Sequence, residues 1–219
     1  MKGFRQLVYR IIDPVTRLLV RNRVHPNAIT TVGFGLTVGA GFAFHEDRVR
    51  IAGLLILLGG LLDIFDGRVA RESGLASKFG SFYDSTLDRF SEIVVFLGLI
   101  SLYNQYAREW ADIWMVYVIV LALGGSLMVS YTRARAEAMG LDCSVGLMQR
   151  AERVVLLGGS ALFFGLMWNG LVLKAVIVIM AVLTNVTAVQ RIVWVYRHAA
   201  GIPLEEEGPP AAFINDQQK

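Results

Sequence analysis

The sequence predicts an all-α integral membrane protein, with six transmembrane helices preceded by an amphipathic surface helix. Three observations lead there. The 219-residue chain is 55% hydrophobic and 18% charged, and its mean hydropathy of +0.53 exceeds what a water-facing surface tolerates. Apolar stretches of about 20 residues, enough to cross a bilayer's hydrocarbon core, recur along it. The 21 Lys and Arg gather between those stretches instead of spreading as a patch.

Composition also narrows the chemistry. A net charge of +3 is too small to argue for a nucleic-acid partner. A solitary Cys143 removes any disulfide framework and any four-thiolate zinc site. With three scattered histidines, His25, His45 and His198, metal chemistry would have to use oxygen ligands.

In residues 1–24, Lys2, Arg5, Arg10, Arg17, Arg21 and Arg23 interrupt Phe4, Leu7, Val8, Ile11, Ile12, Val15, Leu18 and Leu19 at helical spacing. That pattern is a helix lying on the membrane, not a cleavable signal. Pro26 ends it, and Asn27 is the expected N-cap of a first span beginning near Ala28. Spans are expected at 28–45, 49–70, 80–104, 112–133, 152–168 and 171–196, a six-helix bundle over 28–197 in one membrane domain, 1–200. Gly35 with Gly39, Gly59 with Gly60, and Gly124 with Gly125 and Ser126 are the small residues expected to bring spans together. The polar tail, 201–219, is expected to be disordered.

Seventeen of the Lys and Arg fall on one side of these spans, leaving Arg48, Arg50, Arg108 and Lys174 for the other. The positive-inside rule then puts both termini in the cytoplasm and makes this a multi-pass protein of the cell's inner (cytoplasmic) membrane. The start of the first span, the end of the second, the start of the third and the junction of the fourth and fifth share that face.

Carboxylates there sit inside spans that should reject them, at roughly 2.5–3.5 kcal/mol per Asp. Asp63 and Asp66 are three apart, and Asp84 and Asp88 four apart, so each pair projects from one helix face. Four carboxylates without His or thiolate suit Mg²⁺, or Mn²⁺ in its place, and supply oxygens for two ions about 3.5–4 Å apart. Such a pair can clamp a diphosphate. Gly67, Ala70 and Gly80 lie within two turns of these carboxylates, leaving room for a ligand.

The run Asp63-x2-Asp66-Gly67-x2-Ala70-Arg71-x8-Gly80-x3-Asp84-x3-Asp88 places eight fixed positions in 26 residues. It resembles the complete signature of the CDP-alcohol phosphotransferases. Pro26, Asn27 and Thr30 are similar to that family's start of the first span. Within the family, SYTRARAE at 130–137, ERV at 152–154 and QRI at 190–192 are similar to bacterial phosphatidylinositol-phosphate synthases, with Arg133 where that motif carries Lys.

The resemblance implies transfer of a phosphatidyl group from CDP-diacylglycerol to an alcohol, with release of CMP, by a homodimer among membrane lipids. Asp63, Asp66, Asp84 and Asp88 would lie at the metals, with Asp88 also the general base that takes the acceptor's proton. CDP-diacylglycerol would be held by Gly67, Ala70, Arg71, Ser77 and Gly80, and by Asn27, Ala28, Ile29 and Thr30, whose helix N-terminal amides suit an anion. Arg133, Arg153 and Arg191, from three different spans, would converge on a phosphorylated acceptor. Inositol phosphate is the expected polyol phosphate, with glycerol 3-phosphate or free inositol as alternatives. Two other readings need fewer of these residues. An intramembrane prenyltransferase separates its Asp motifs widely, and a cation transporter has no use for Gly67, Arg71 and Gly80 at fixed spacing.

Overall fold

The computed structural model describes residues 13–106 and 110–199, and the regular structure among them is entirely helical. Helix α1 occupies 13–21. It is followed by α2 (Pro26–His45), α3 (Val49–Glu72), α4 (Lys78–Gln105), α5 (Trp110–Ala138), α6 (Arg150–Phe163) and α7 (Met167–Ala199). The first half of the expected surface helix, Arg108 and the 201–219 tail lie outside the described residues.

Three of the described helices, α2, α5 and α7, are both long and apolar enough to cross a membrane. Helices α3 and α4 are longer than α2, at 24 and 28 residues, but their charges lower their hydropathy. Many large side chains face outward, Phe42 at 67% exposure and Phe163 at 70% among them. An apolar exterior of that kind is stable against lipid, not water.

Helix α2 packs between α3 and α4, α3 also meets α6, and α5 lies between α4 and α7. The central core includes fully buried Phe44, Leu99, Leu102, Ile119, Leu173, Ile177 and Met180. A smaller cluster of Ile29, Phe65 and Val69 receives Leu19, Val20 and Val24 from α1 and its turn. An Asp13–Arg68 ion pair adds to it, so α1 is held against the end of α3 that carries Asp63 and Asp66.

The closest backbone-to-backbone approaches between helices use glycines other than those expected. A Cβ on Gly98 of α4 would lie 2.7 Å from Gly41 Cα of α2, and one on Gly53 of α3 would lie 2.6 Å from Gly158 O of α6. Gly35 and Gly124 have nothing near that position, whereas Gly59, Gly60 and Gly125 do pack closely. A sequence shows that two glycines share a helix face but not which neighbour that face meets.

Two boundaries also differ. Helix α6 has 14 residues, about 21 Å at 1.5 Å per residue, and stops short of the expected 152–168. The apolar run continues, but Gly165 has φ 53° and Trp168, Asn169 and Gly170 all have positive φ. The chain turns there before the long straight part of α7. At the other end of the bundle from Asp63, Asp112 at the start of α5 pairs with Lys174 of α7 at 2.5 Å.

The cap of α2 is His25, not Asn27: Pro26 takes the first helical position, and His25 Nδ1 accepts from the Asn27 amide at 3.2 Å. Proline's fixed φ and missing N–H suit it to that position, which moves the helix start from the expected Ala28 back to Pro26.

Candidate active site

The last turns of α3 and the first turns of α4 lie side by side, which brings their acidic faces together. Oxygens of Asp63, Asp66 and Asp84 all lie within 4.8 Å of one another. Asp66 is 5% exposed, and Asp66 Oδ2 and Asp84 Oδ1 are buried with no hydrogen-bond partner among the described residues. Hard oxygens left unpaired at this density fit a divalent cation, which would satisfy both. Local capping fixes the α4 side of the site, since Ser77 Oγ accepts from the amide of Gly80, the residue one turn before Asp84, at 3.0 Å and starts the helix at Lys78.

Asp88 is one turn further along α4 and joins the cluster through a cation. Arg150, the first residue of α6, reaches Asp63 Oδ2 with Nη1 at 2.7 Å and Asp88 Oδ1 with Nη2 at 2.5 Å. One guanidinium therefore ties α3, α4 and α6 together at the carboxylates. Another turn along α4, half-buried Glu92 pairs with Arg89 at 3.7 Å and with Arg153, which also donates to Met148 O at 3.4 Å. Sequence reasoning passed over Arg150 and Glu92 as site residues. Their signal was periodic: Asp84, Asp88 and Glu92 advance by four, and Arg150 and Arg153 share a face by a step of three.

Two cavities meet at this cluster. The smaller, about 210 Å³, is lined by Asn27, Thr30, Asp66, Gly67, Ala70, Arg71, Ser77, Gly80 and Asp84. Of the residues expected to hold the nucleotide lipid, Ala28 and Ile29 are not on its wall. Ile29 is 5% exposed in the α1–α2–α3 cluster. The amides of Asn27 and Ala28 bond to His25, at Nδ1 and at O respectively. The start of α2 thus offers side chains to the cavity, and its first amides are already engaged.

The larger cavity, about 760 Å³, is lined by Asp63, Asp84, Arg133, Arg150, Arg153 and Arg191, among others. The structure brings the three expected arginines to one cavity. They are anchored differently: Arg133 Nε donates to Glu137 at 2.8 Å, whereas Arg191, 2% exposed, bonds to the Val145 and Val129 carbonyls. Thr187 Oγ1 accepts from the Leu147 and Met148 amides at 3.2 Å each. Together these bonds hold the α5–α6 connection, which contributes Gln149 to the wall.

A family model described as CDP-alcohol phosphatidyltransferase matches residues 23–189. The chain belongs to that family. Its CDP-alcohol phosphatidyltransferase relatives include the archaetidylinositol phosphate synthase of Methanothermobacter thermautotrophicus, 32% identical over 90% of this chain and 94% of that one. The phosphatidylinositol phosphate synthase of Streptomyces avermitilis is 34% identical over 91% and 83%. The crystal structure of Mycobacterium tuberculosis phosphatidylinositol phosphate synthase with CDP-DAG bound superimposes with a TM-score of 0.75 at 30% identity, covering 85% of this chain and 94% of that one. The same enzyme in complex with manganese and citrate gives 0.74 at 29%, covering 84% and 88%. Members of the CDP-alcohol phosphatidyltransferase family are transferases, and the carboxylate cluster lies inside the matched span.

Proposed function

We propose that this CDP-alcohol phosphatidyltransferase moves the phosphatidyl group of CDP-diacylglycerol onto a phosphorylated polyol, inositol phosphate, and releases CMP. The observation that carries the proposal is the position of Asp84. It lines the cavity of the signature residues and the cavity of the arginines, and it belongs to the acidic trio at their boundary. A transfer between two polar substrates needs such a shared wall.

Arg71, exposed at the mouth of the smaller cavity, and Ser77 bind the nucleotide's anionic groups, while Gly67 and Gly80 leave space for them. Asp63, Asp66 and Asp84 hold Mg²⁺ or Mn²⁺, two ions with Asp88 beside them. Bound there, the metal polarises the attacked phosphorus and neutralises charge on the departing CMP. Asp88 takes the proton of the acceptor hydroxyl as its oxygen bonds to phosphorus and the bond to CMP breaks. Arg133, Arg153 and Arg191 hold the acceptor's phosphate, as the planar fork of a guanidinium pairs with two phosphate oxygens. The names of the relatives favour inositol phosphate over glycerol 3-phosphate.

The bundle is read as six spans, with α3, α4 and α6 crossing beside the three more apolar helices. Outward Leu54, Leu61, Leu97 and Val155 support this. In the inner membrane the carboxylate end faces the cytoplasm, where the basic residues gather, and a homodimer is the expected assembly. The test is to incubate the purified protein with Mg²⁺, labelled CDP-diacylglycerol and, separately, inositol 1-phosphate, free inositol, glycerol 3-phosphate or serine. CMP release and a labelled lipid of the matching mass are expected with inositol 1-phosphate. Equal or faster release with free inositol would refute the phosphorylated acceptor, and no release with any would refute the activity.

A further inference from the structure

Arg150 differs from the other arginines of the large cavity in what holds it. Arg153 is fixed by Glu92 and the Met148 carbonyl, Arg191 by two carbonyls, Arg133 by Glu137, and Arg89 pairs with Glu92 at 3.7 Å. The ion pairs of Arg150 run to Asp63 and Asp88, two of the carboxylates assigned above to the metals and the base. Its side chain is 24% exposed and lines the acceptor cavity as well as the small cleft beside Asp63, Asp66 and Asp88. Its Nε is a buried donor with no hydrogen-bond partner among the described residues. This side chain therefore stands between an anionic carboxylate cluster and an arginine-lined cavity suited to an anion.

We infer that Arg150 is a positioning residue that exchanges partners: it neutralises Asp63 and Asp88 until a divalent cation takes their oxygens, and then turns its guanidinium to the acceptor's phosphate. The inference rests on the metal and acceptor reading proposed above. Its physical basis is competition. A guanidinium and a divalent cation draw on the same Asp63 oxygens and repel each other, so each weakens the other's hold there. A guanidinium displaced by a few ångströms enters the cavity that Arg133, Arg153 and Arg191 already make favourable for phosphate. Its forked donors, including Nε, match phosphate oxygens as well as they match two carboxylates. Metal occupancy and acceptor binding then become linked, and the linkage must be reciprocal.

The test is a Mn²⁺ titration of the full chain in micelles without either substrate, reading free Mn²⁺ by electron paramagnetic resonance. Removing the competitor in Arg150→Gln should tighten Mn²⁺ binding by about tenfold. Arg150→Lys, which keeps the charge but loses the fork, should fall between parent and Gln. Inositol phosphate binding should strengthen about tenfold with Mn²⁺ in the parent, and less than about threefold in Arg150→Gln. Unchanged or weaker Mn²⁺ binding in Arg150→Gln would overturn the exchange, since Arg150 would then serve only to orient the carboxylates. If that variant does not fold, a Lys variant indistinguishable from the parent overturns it equally. A parent that binds no Mn²⁺ would overturn the metal reading together with this inference, whereas a parent that binds while the variants match it overturns this inference alone.

Discussion

Replacing Arg153 by Met would strip a largely buried carboxylate of the nearer of its two counter-ions. The Arg153 and Glu92 side chains are 4% and 10% exposed, so the Glu92 charge would be left in the protein interior with only the more distant and more exposed Arg89, at 3.7 Å, to offset it. Breaking one side of such a pair costs about 3–5 kcal/mol when no other counter-ion remains, and Arg89 puts this case at the lower end, about 3 kcal/mol. At ~2–4 °C per kcal/mol for a chain of this size, Arg153→Met should melt roughly 6–12 °C below the parent. Changing Glu92 to Gln in the same protein removes the stranded charge and, since Gln has a similar shape, should restore most of that loss. The double variant should therefore be more stable than Arg153→Met alone, with a non-additivity of roughly 1–3 kcal/mol. Acceptor binding should not recover. One lost charge-assisted contact to phosphate costs about 1.5–3 kcal/mol, roughly tenfold to more than a hundredfold in the apparent KM for inositol phosphate. Both Arg153→Met and the double variant should show it, with the KM for CDP-diacylglycerol nearly unchanged. The assays are thermal unfolding in micelles followed by tryptophan fluorescence, and initial rates of CMP release with each substrate varied. A double variant that regains the parent's acceptor KM would refute a direct role for Arg153 and leave only its structural pairing. One as unstable as the sum of the singles would refute the buried pair itself.

Three further outcomes are expected. Asp88→Asn should lower turnover by about 10² while sparing nucleotide-lipid binding, because the amide cannot accept the acceptor's proton; turnover within threefold of the parent would remove Asp88 from that role. Asp84→Ala should abolish Mg²⁺-dependent binding of CDP-diacylglycerol as well as activity, because it removes a member of the acidic trio. Unchanged Mg²⁺ dependence in a direct binding assay would count against the shared-ligand arrangement. Gly98→Ala should cost about 1–3 kcal/mol, because the added Cβ would meet the Gly41 backbone at 2.7 Å and backbone cannot rotate aside; an unaltered melting temperature would contradict that close approach.

The carboxylate site was legible from one stretch of sequence because its chemistry is local in the chain. Asp63, Asp66, Asp84 and Asp88 lie on two consecutive helices joined by a short turn, so helical periodicity puts each pair on one face and the turn keeps both faces at the same end of the bundle. The same holds for Gly67, Arg71, Ser77 and Gly80, which line one cavity as their spacing implies. The all-helical class was also readable, since apolar length is written residue by residue. Contacts between distant segments were not. Arg150 meets Asp63 across 87 positions and Arg153 meets Glu92 across 61, and neither separation leaves a periodic trace. The glycine pairs Gly41–Gly98 and Gly53–Gly158 depend on which helix faces which, a property of the packed bundle. The early stop of α6 was set by backbone conformation at Gly165 and at 168–170 within a run whose hydropathy hardly changes. Composition and periodicity thus determined which side chains share a helix face and which charges the bilayer would exclude. Tertiary packing alone decided which opposite charges meet once those faces close, because ion-pair energy depends on distance in space and not on distance along the chain.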